Sequence, residues 1–200
     1  MKKLISLSLA AITAMSMAVP AFAATTHTVR RGDTMWKIAS TYKVGTSELV
    51  AANTQIKNPD LIYPGDVLRI PELSSSVRAY EQEVVRLVNV ERAKYGLSAL
   101  TEDWELSRVA RYKSQDMRDK GYFSHTSPTY GSPFEMMKAF GISYRTAGEN
   151  IAMGQSTPAA VVRAWMNSSG HRANILSQSF TKIGVGYVAS GNYWTQMFIG

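Results

Sequence analysis

Ile183-Gly184-Val185-Gly186-Tyr187-Val188 and the run from Tyr193 to Ile199 alternate as two strands, with Ser190-Gly191-Asn192 as the turn between them. Ile183, Val185 and Tyr187 fall on one face of the first strand, because successive strand side chains point to opposite sides. Upstream the apolar period becomes helical. Tyr80, Val84, Leu87, Val88 and Tyr95 share one helical face, and Gly96 ends it. A second helix is predicted from about Asp103 to Lys120, with Leu106, Val109, Ala110, Lys113 and Met117 along one side and Gly121 after it. Ser132-Pro133-Phe134-Glu135 reads as a capping box with proline in the first helical position; that helix runs to Phe140 and stops at Gly141. Thr157-Pro158 opens a fourth, through Ala160, Val161, Ala164 and Trp165. Helices flanking a small antiparallel sheet predict an α-β-α sandwich over residues 79–200.

Inside this region Ala147 to Ala152 reads AGENIA, with Glu149 between a glycine and an asparagine. His125 and His171 lie on either side of it in the chain. Each of the three is expected in a break between elements, where functional groups concentrate. His125 follows Gly121-Tyr122-Phe123-Ser124, Glu149 follows Gly148, and His171 follows Asn167-Ser168-Ser169-Gly170. Two imidazoles and a carboxylate suit a divalent metal ion, held facially with open positions. They equally suit proton transfer with the carboxylate orienting one ring, or a structural anion that accepts N–H groups. Spacing leaves all three open. Ser124, Ser168 and Ser169 suit caps or turns, since no nucleophile-elbow pattern surrounds them. A glycosidase usually needs two carboxylates; Glu102, Asp103 and Glu135 are those a fold could bring to Glu149.

Residues 26–71 read as a separate unit in the order strand, helix, helix, strand. His27-Thr28-Val29-Arg30 alternates, and Gly32-Asp33-Thr34 is a turn ending in helix-capping residues, with Asp33 a candidate N-cap. Met35, Ile38, Ala39 and Tyr42 have helical spacing. Thr46 or Ser47 is placed to cap a second helix through Ala52. Tyr63-Pro64-Gly65-Asp66 turns the chain into a closing strand, Val67 to Ile70. Trp36, Ile38 and Leu68 are expected in its core. Residues 72–78, with Ser74-Ser75-Ser76, read as a short flexible joint.

Residues 1–23 have the form of an export signal: Lys2 and Lys3, an apolar run from Leu4 to Val19, and Ala21-Phe22-Ala23 as a cleavage pattern. The run is shorter than a spanning helix needs, so no membrane span is expected after cleavage. The 200 residues contain no cysteine, which excludes disulfides, thiolate metal sites and cysteine nucleophiles. The formal charge of +7 is scattered and interleaved with acids. It suits mild attraction to an anionic polymer, and no basic helix or motif points to nucleic acid.

HTVRRGDTMWKIASTY (27–42), ELVAANT (48–54) and IYPGDVLRIP (62–71) together resemble the LysM family across the whole first unit. That resemblance implies binding of N-acetylglucosamine polymers such as peptidoglycan. It also implies a sugar groove between two loops: Gly32, Asp33, Thr34 and Met35 on one, Asn58, Pro59, Asp60, Leu61, Ile62 and Tyr63 on the other.

LVNVERAKYGLSAL (87–100), YFSHTSP (122–128), AGENIA, AWMNSSGHRANIL (164–176), IGVGYV (183–188) and YWTQMF (193–198) resemble the CAP superfamily of cysteine-rich secretory, antigen 5 and pathogenesis-related 1 proteins, in its bacterial extracellular branch. The resemblance implies an α-β-α sandwich with a central cleft holding His125, Glu149 and His171, as catalytic residues or as ligands of zinc or another divalent cation. Eukaryotic members carry a second glutamate just before the last histidine; here that stretch is Trp165-Met166-Asn167-Ser168 and has no acid.

The whole chain is thus expected to be α+β: a small βααβ module followed by an α-β-α sandwich. The expected protein is secreted and wall-associated, Gram-positive in style, with a spore envelope as the alternative location. Its cleft would bind a ligand, a wall hydrolase or an envelope protein. The alternative is a hydrolase acting on peptidoglycan or wall proteins through the same residues.

Overall fold

The computed structural model describes residues 25–200, so the export signal expected at 1–23 lies outside the described residues. The elements run β1 (Thr26–Thr28), α1 (Met35–Tyr42), α2 (Thr46–Ala51), β2 (Val67–Arg69), α3 (Ser75–Lys94), β3 (Thr101–Glu102), α4 (Trp104–Lys120), α5 (Pro133–Ala139), β4 (Ala147–Met153), α6 (Pro158–Met166), α7 (Ser169–Ile175), β5 (Lys182–Val188) and β6 (Tyr193–Ile199). No helix among the described residues is long and apolar enough to cross a membrane.

The first module is the expected strand-helix-helix-strand. β1 and β2 pair antiparallel, with His27 opposite Leu68. Val29, Met35, Ile38, Ala39, Leu49, Leu68 and Ile70 form its core. Buried Asn53 ties α2 to β2: its Nδ2 donates to the carbonyls of Leu49 and Arg69, and its Oδ1 accepts from Arg69 N at 2.7 Å. Three expectations are corrected here. Trp36 is not core; it is 66% exposed, because it sits one residue off the Met35–Ile38–Ala39 stripe. Thr34, not Asp33, caps α1 by accepting from Lys37 N, while Asp33 accepts from Arg30 N and from His27 Nε2. Neither Thr46 nor Ser47 caps α2: the N-cap is Gly45, without a side-chain bond, and Ser47 Oγ donates to Glu48.

The joint is corrected too. Ser74 accepts from Val77 N as the N-cap of α3, so Ser75 and Ser76 already belong to that helix. A serine run whose first hydroxyl accepts a backbone N–H is a helix start as readily as a spacer. Glu48 of α2 and Arg108 of α4 then meet across the two modules.

The second module is the expected three-layer sandwich. Its sheet has the order β3-β5-β6-β4; β3 and β5 are parallel and the other neighbours antiparallel. On one face Ile183, Val185, Tyr187, Trp194 and Phe198 pack with Val84 and Val88 of α3, Val161 and Trp165 of α6 and Ile175 of α7. On the other, Met197 and Ile199 pack with Leu106, Val109 and Ala110 of α4 and Met136 and Met137 of α5. Gly184 and Gly186 face α4: a Cβ on Gly184 would stand 2.4 Å from Leu106 C, and one on Gly186 2.1 Å from Arg111 N. The helix therefore lies directly on bare strand backbone.

Two elements differ from expectation. AGENIA is not a break but strand β4 at the sheet edge, paired along its length with β6. His171 lies within the short helix α7, not in a loop. Tyr95, expected on the buried face of the first long helix, is exposed at its C-cap, where its hydroxyl accepts from Arg172.

Candidate functional site

The first module carries a groove of about 300 Å³ lined by Asp33, Thr34, Met35, Trp36, Thr46, Pro59, Asp60, Leu61 and Ile62. The expected loops do converge there. Asp33 to Met35 and Pro59 to Ile62 line it, whereas Gly32, Asn58 and Tyr63 stand outside the lining. Gly32 supplies a turn at φ 90°, and Asn58 Oδ1 accepts from Asp60 N and shapes the second loop. Trp36 and Thr46 were not foreseen; the sign for Trp36 was an aromatic side chain off the helix's apolar stripe. The groove sets an exposed indole and Leu61 beside the Asp33 and Asp60 carboxyls. Such a surface fits a sugar, apolar on its ring face and polar at its rim. The bond from His27 holds the Asp33 carboxyl below the ordinary carboxylate range.

The second site lies at the edge strand β4. Gly148 lets the strand pass close to its neighbours, since a Cβ there would come within 2.9 Å of the Phe180 ring and 3.2 Å of Asn174. Glu149 and Asn150 then point to opposite faces. Asn150 Nδ2 donates to the His171 carbonyl at 3.1 Å, and Asn174 Nδ2 donates to Asn150 Oδ1 at 2.8 Å, which fixes α7 against β4. On the other face Glu149 Oε1 accepts from His125 Nδ1 at 2.8 Å. A carboxylate oxygen accepts there, so Nδ1 donates, and Nε2 has no hydrogen-bond partner among the described residues. The His125 side chain is 52% exposed while that of Glu149 is buried. Glu149 Oε2 is buried and accepts no hydrogen bond among the described residues.

His125 is held from beneath by α4. Lys113 Nζ, in a fully buried residue, donates to the His125 carbonyl at 2.8 Å and to Tyr122 Oη at 3.2 Å. One turn on, Asp116 accepts from Tyr122 Oη, Ser127 Oγ and Thr129 Oγ1, each at 2.6 Å. Burial pushes the Asp116 carboxyl up, but the bonds from Ser127, Thr129 and Tyr122 outweigh it and hold it below its ordinary value. Burial lowers the Lys113 ammonium. Neither role was foreseen, although a lysine inside the apolar stripe of α4 was the visible sign. The candidate second carboxylates are engaged elsewhere: Asp103 caps α4 and accepts from Lys182, and Glu135 closes the capping box of α5. Glu102 lies on β3, at the opposite edge of the sheet from β4. Ser124 Oγ accepts from Thr126 N in a turn.

The model of the cysteine-rich secretory protein family, CAP, matches residues 85–198, more than half of the chain. The chain belongs to that family. A LysM domain model matches residues 27–71, and the module preceding the CAP domain is a LysM domain. YkwD of Bacillus subtilis (strain 168) is 69% identical over 126 residues, covering 63% of this chain and 49% of that protein. A solved extracellular protein containing an SCP domain from Bacillus anthracis str. Ames is 34% identical with a TM-score of 0.60, covering 68% of this chain and 47% of that one. The spore coat assembly protein ExsA of Bacillus cereus is 48% identical over 56 residues, 28% of this chain and 8% of ExsA. This chain therefore spans about half the length of the first two.

The CAP cleft does not fit the three-donor metal centre expected of His125, Glu149 and His171. Glu149 bonds His125 Nδ1 as an orienting carboxylate, and among the described residues no group of three or more His, Cys, Asp or Glu side chains is gathered to hold an ion. What these residues offer is an exposed imidazole at His125 oriented by Glu149, a partly buried imidazole at His171 and a buried Glu149 oxygen without a hydrogen-bond donor among the described residues. Burial first, and His125 second, push the His171 imidazole below its usual 6.5. The folded state then binds fewer protons than the unfolded state just below pH 6.5, so stability is full above that pH and falls as the pH drops through the lowered value. In NMR titration the His171 ring protons should show a midpoint below 6.5, and His125→Ala should raise it; a midpoint unmoved by that change would remove the coupling.

Proposed function

We propose that this is a secreted, wall-associated protein whose LysM groove fixes it to an N-acetylglucosamine glycan such as peptidoglycan, and whose CAP cleft takes up a polar ligand or a partner such as a wall hydrolase. The observation that carries the reading is the groove: Trp36 and Leu61 stand exposed beside Thr34, Asp33 and Asp60, in the loops where LysM modules bind sugar. In the cleft, His125, 52% exposed and oriented by the buried Glu149, is the polar group that a ligand can reach. The printed name of ExsA supports a spore layer as the alternative location. In co-sedimentation with insoluble peptidoglycan, Trp36→Ala should weaken binding about tenfold, since one well-packed aromatic contact is worth about 1–2 kcal/mol. Undiminished binding by Trp36→Ala combined with Leu61→Ala would sink the groove assignment.

A second reading, acid–base hydrolysis of wall material, is favoured by the His125–Glu149 pair alone, in which a carboxylate orients an exposed imidazole. It requires release of soluble fragments from peptidoglycan by the unaltered chain, and loss of that release in both His125→Ala and His171→Ala. Release that persists in both variants ends this reading.

A further inference from the structure

Between the LysM and CAP domains lies a cavity of about 510 Å³, apart from both sites above. Its volume falls within the range of roughly 300–1,000 Å³ that small-molecule sites occupy. One wall is α4, which presents Arg108, Arg111 and Tyr112; Arg78 of α3 and Lys43, at the end of α1, add positive charge. Leu73 and Ile70 give an apolar side, and Glu48 is a carboxylate on the rim.

Arg108 is held but poorly paired. Its guanidinium lies 5.3 Å from the Phe140 ring centroid and 6.0 Å from that of Tyr112. Stacking of this kind fixes the plane of the group without using its N–H donors. Glu48 reaches Nη1 only at 3.5 Å with both oxygens, at the outer limit of a hydrogen bond. The Arg108 Nε–H is buried and has no acceptor among the described residues. A buried donor of this kind is costly to leave unmade. Arg111 is tied at Nε to Glu81, and Arg78 and Lys43 enter no ion pair among the described residues. Positive charge therefore exceeds what Glu48 and Glu72 balance around the cavity.

We propose that this cavity binds a short peptide with a free carboxylate. The carboxylate accepts from Arg108 and Arg78, matching the planar fork of the guanidinium. The aliphatic side chains lie against Leu73 and Ile70, and a peptide N–H donates to Glu48. A bare inorganic anion would satisfy the arginines alone and leave the apolar wall uncovered, with Glu48 held only by Ser47 and, at 3.5 Å, Arg108.

The test is calorimetric titration of the full chain with N-acetyl-alanyl-alanine, with the same dipeptide as its C-terminal amide, and with inorganic phosphate. The acid should bind at least about tenfold more tightly than the amide or phosphate, the difference that loss of one charge-assisted pair makes. Arg78→Ala, at an exposed position, should weaken the acid about tenfold, and Arg108→Met more, with N-acetylglucosamine oligomer binding unchanged in both. No binding of the acid, equal binding of acid and amide, preference for phosphate, or an unaltered affinity in Arg78→Ala would each overturn the proposal. The oligomer control keeps its failure separate from failure of the glycan reading.

Discussion

Gly186→Ala is expected to destabilise the CAP domain by about 3 kcal/mol or more, the upper part of the range for overpacking a rigid core. The added Cβ would stand 2.1 Å from Arg111 N, 2.2 Å from Ala110 C and 2.5 Å from Ala110 O. These are backbone atoms of α4, so no side chain can swing aside, and the helix must lift off the sheet. α4 also carries Lys113 and Asp116, so the loop bearing His125 should loosen with it. Thermal unfolding should fall by at least about 6 °C, at roughly 2–4 °C per kcal/mol for a chain of this size. Gly170→Ala is the contrast. It lies in α7, a Cβ there meets nothing within 4 Å, and its φ is not positive. Alanine should stabilise it by about 0.5–1 kcal/mol. Equal effects from the two substitutions would refute the packing described for α4.

Arg92→Leu is the second large loss, about 3 kcal/mol in urea unfolding. Arg92 is 2% exposed and has no carboxylate partner among the described residues. Its Nε donates to the Ser98 carbonyl at 2.9 Å, and its Nη1 to the carbonyls of Ile175 and Ser177 at 2.8 Å each. Those last two sit at the C-terminal end of α7, where a cation also meets the negative end of the helix dipole. Leucine removes all three bonds, one of them, to Ile175, fully buried and the other two part-buried. Relief from burying a charge, which lowers the Arg92 pKa, returns part of the loss but not the bonds. Arg92→Lys keeps the charge without the planar fork and should fall between. A change under about 0.5 kcal/mol for leucine, the scale of an ordinary surface substitution, would show that Arg92 does not hold α7 in place.

Periodicity made most of the fold legible. β5 alternates, α3, α4, α5 and α6 each carry an apolar face, and glycine, a capping box or Thr157-Pro158 marks an end of each helix. β4 was hidden because Gly148, Glu149 and Asn150 interrupt its apolar residues, so AGENIA shows no alternation although the strand is buried. α7 was hidden because it contains Gly170, lacks a side-chain cap bond and buries Ile175 alone, so no apolar stripe marks it. The three cleft residues could be named from motif resemblance. Their bonding could not be, since the His125–Glu149 contact depends on a loop held by Lys113 and Asp116 from a distant helix. In the groove, the loops were legible and Trp36 was not, because an aromatic residue beside an apolar stripe reads as core until its angular position is checked. The serines of 74–76 misled because the same residues that loosen a linker also begin a helix.

The most direct test of the glycan-anchored account is amide NMR of the full chain during titration with a soluble N-acetylglucosamine tetramer. Saturable shifts should appear at Thr34, Trp36, Asp60 and Leu61, with the Trp36 indole N–H among the largest, while β4 stays still. Shifts confined to the CAP cleft, or none at all, would contradict it.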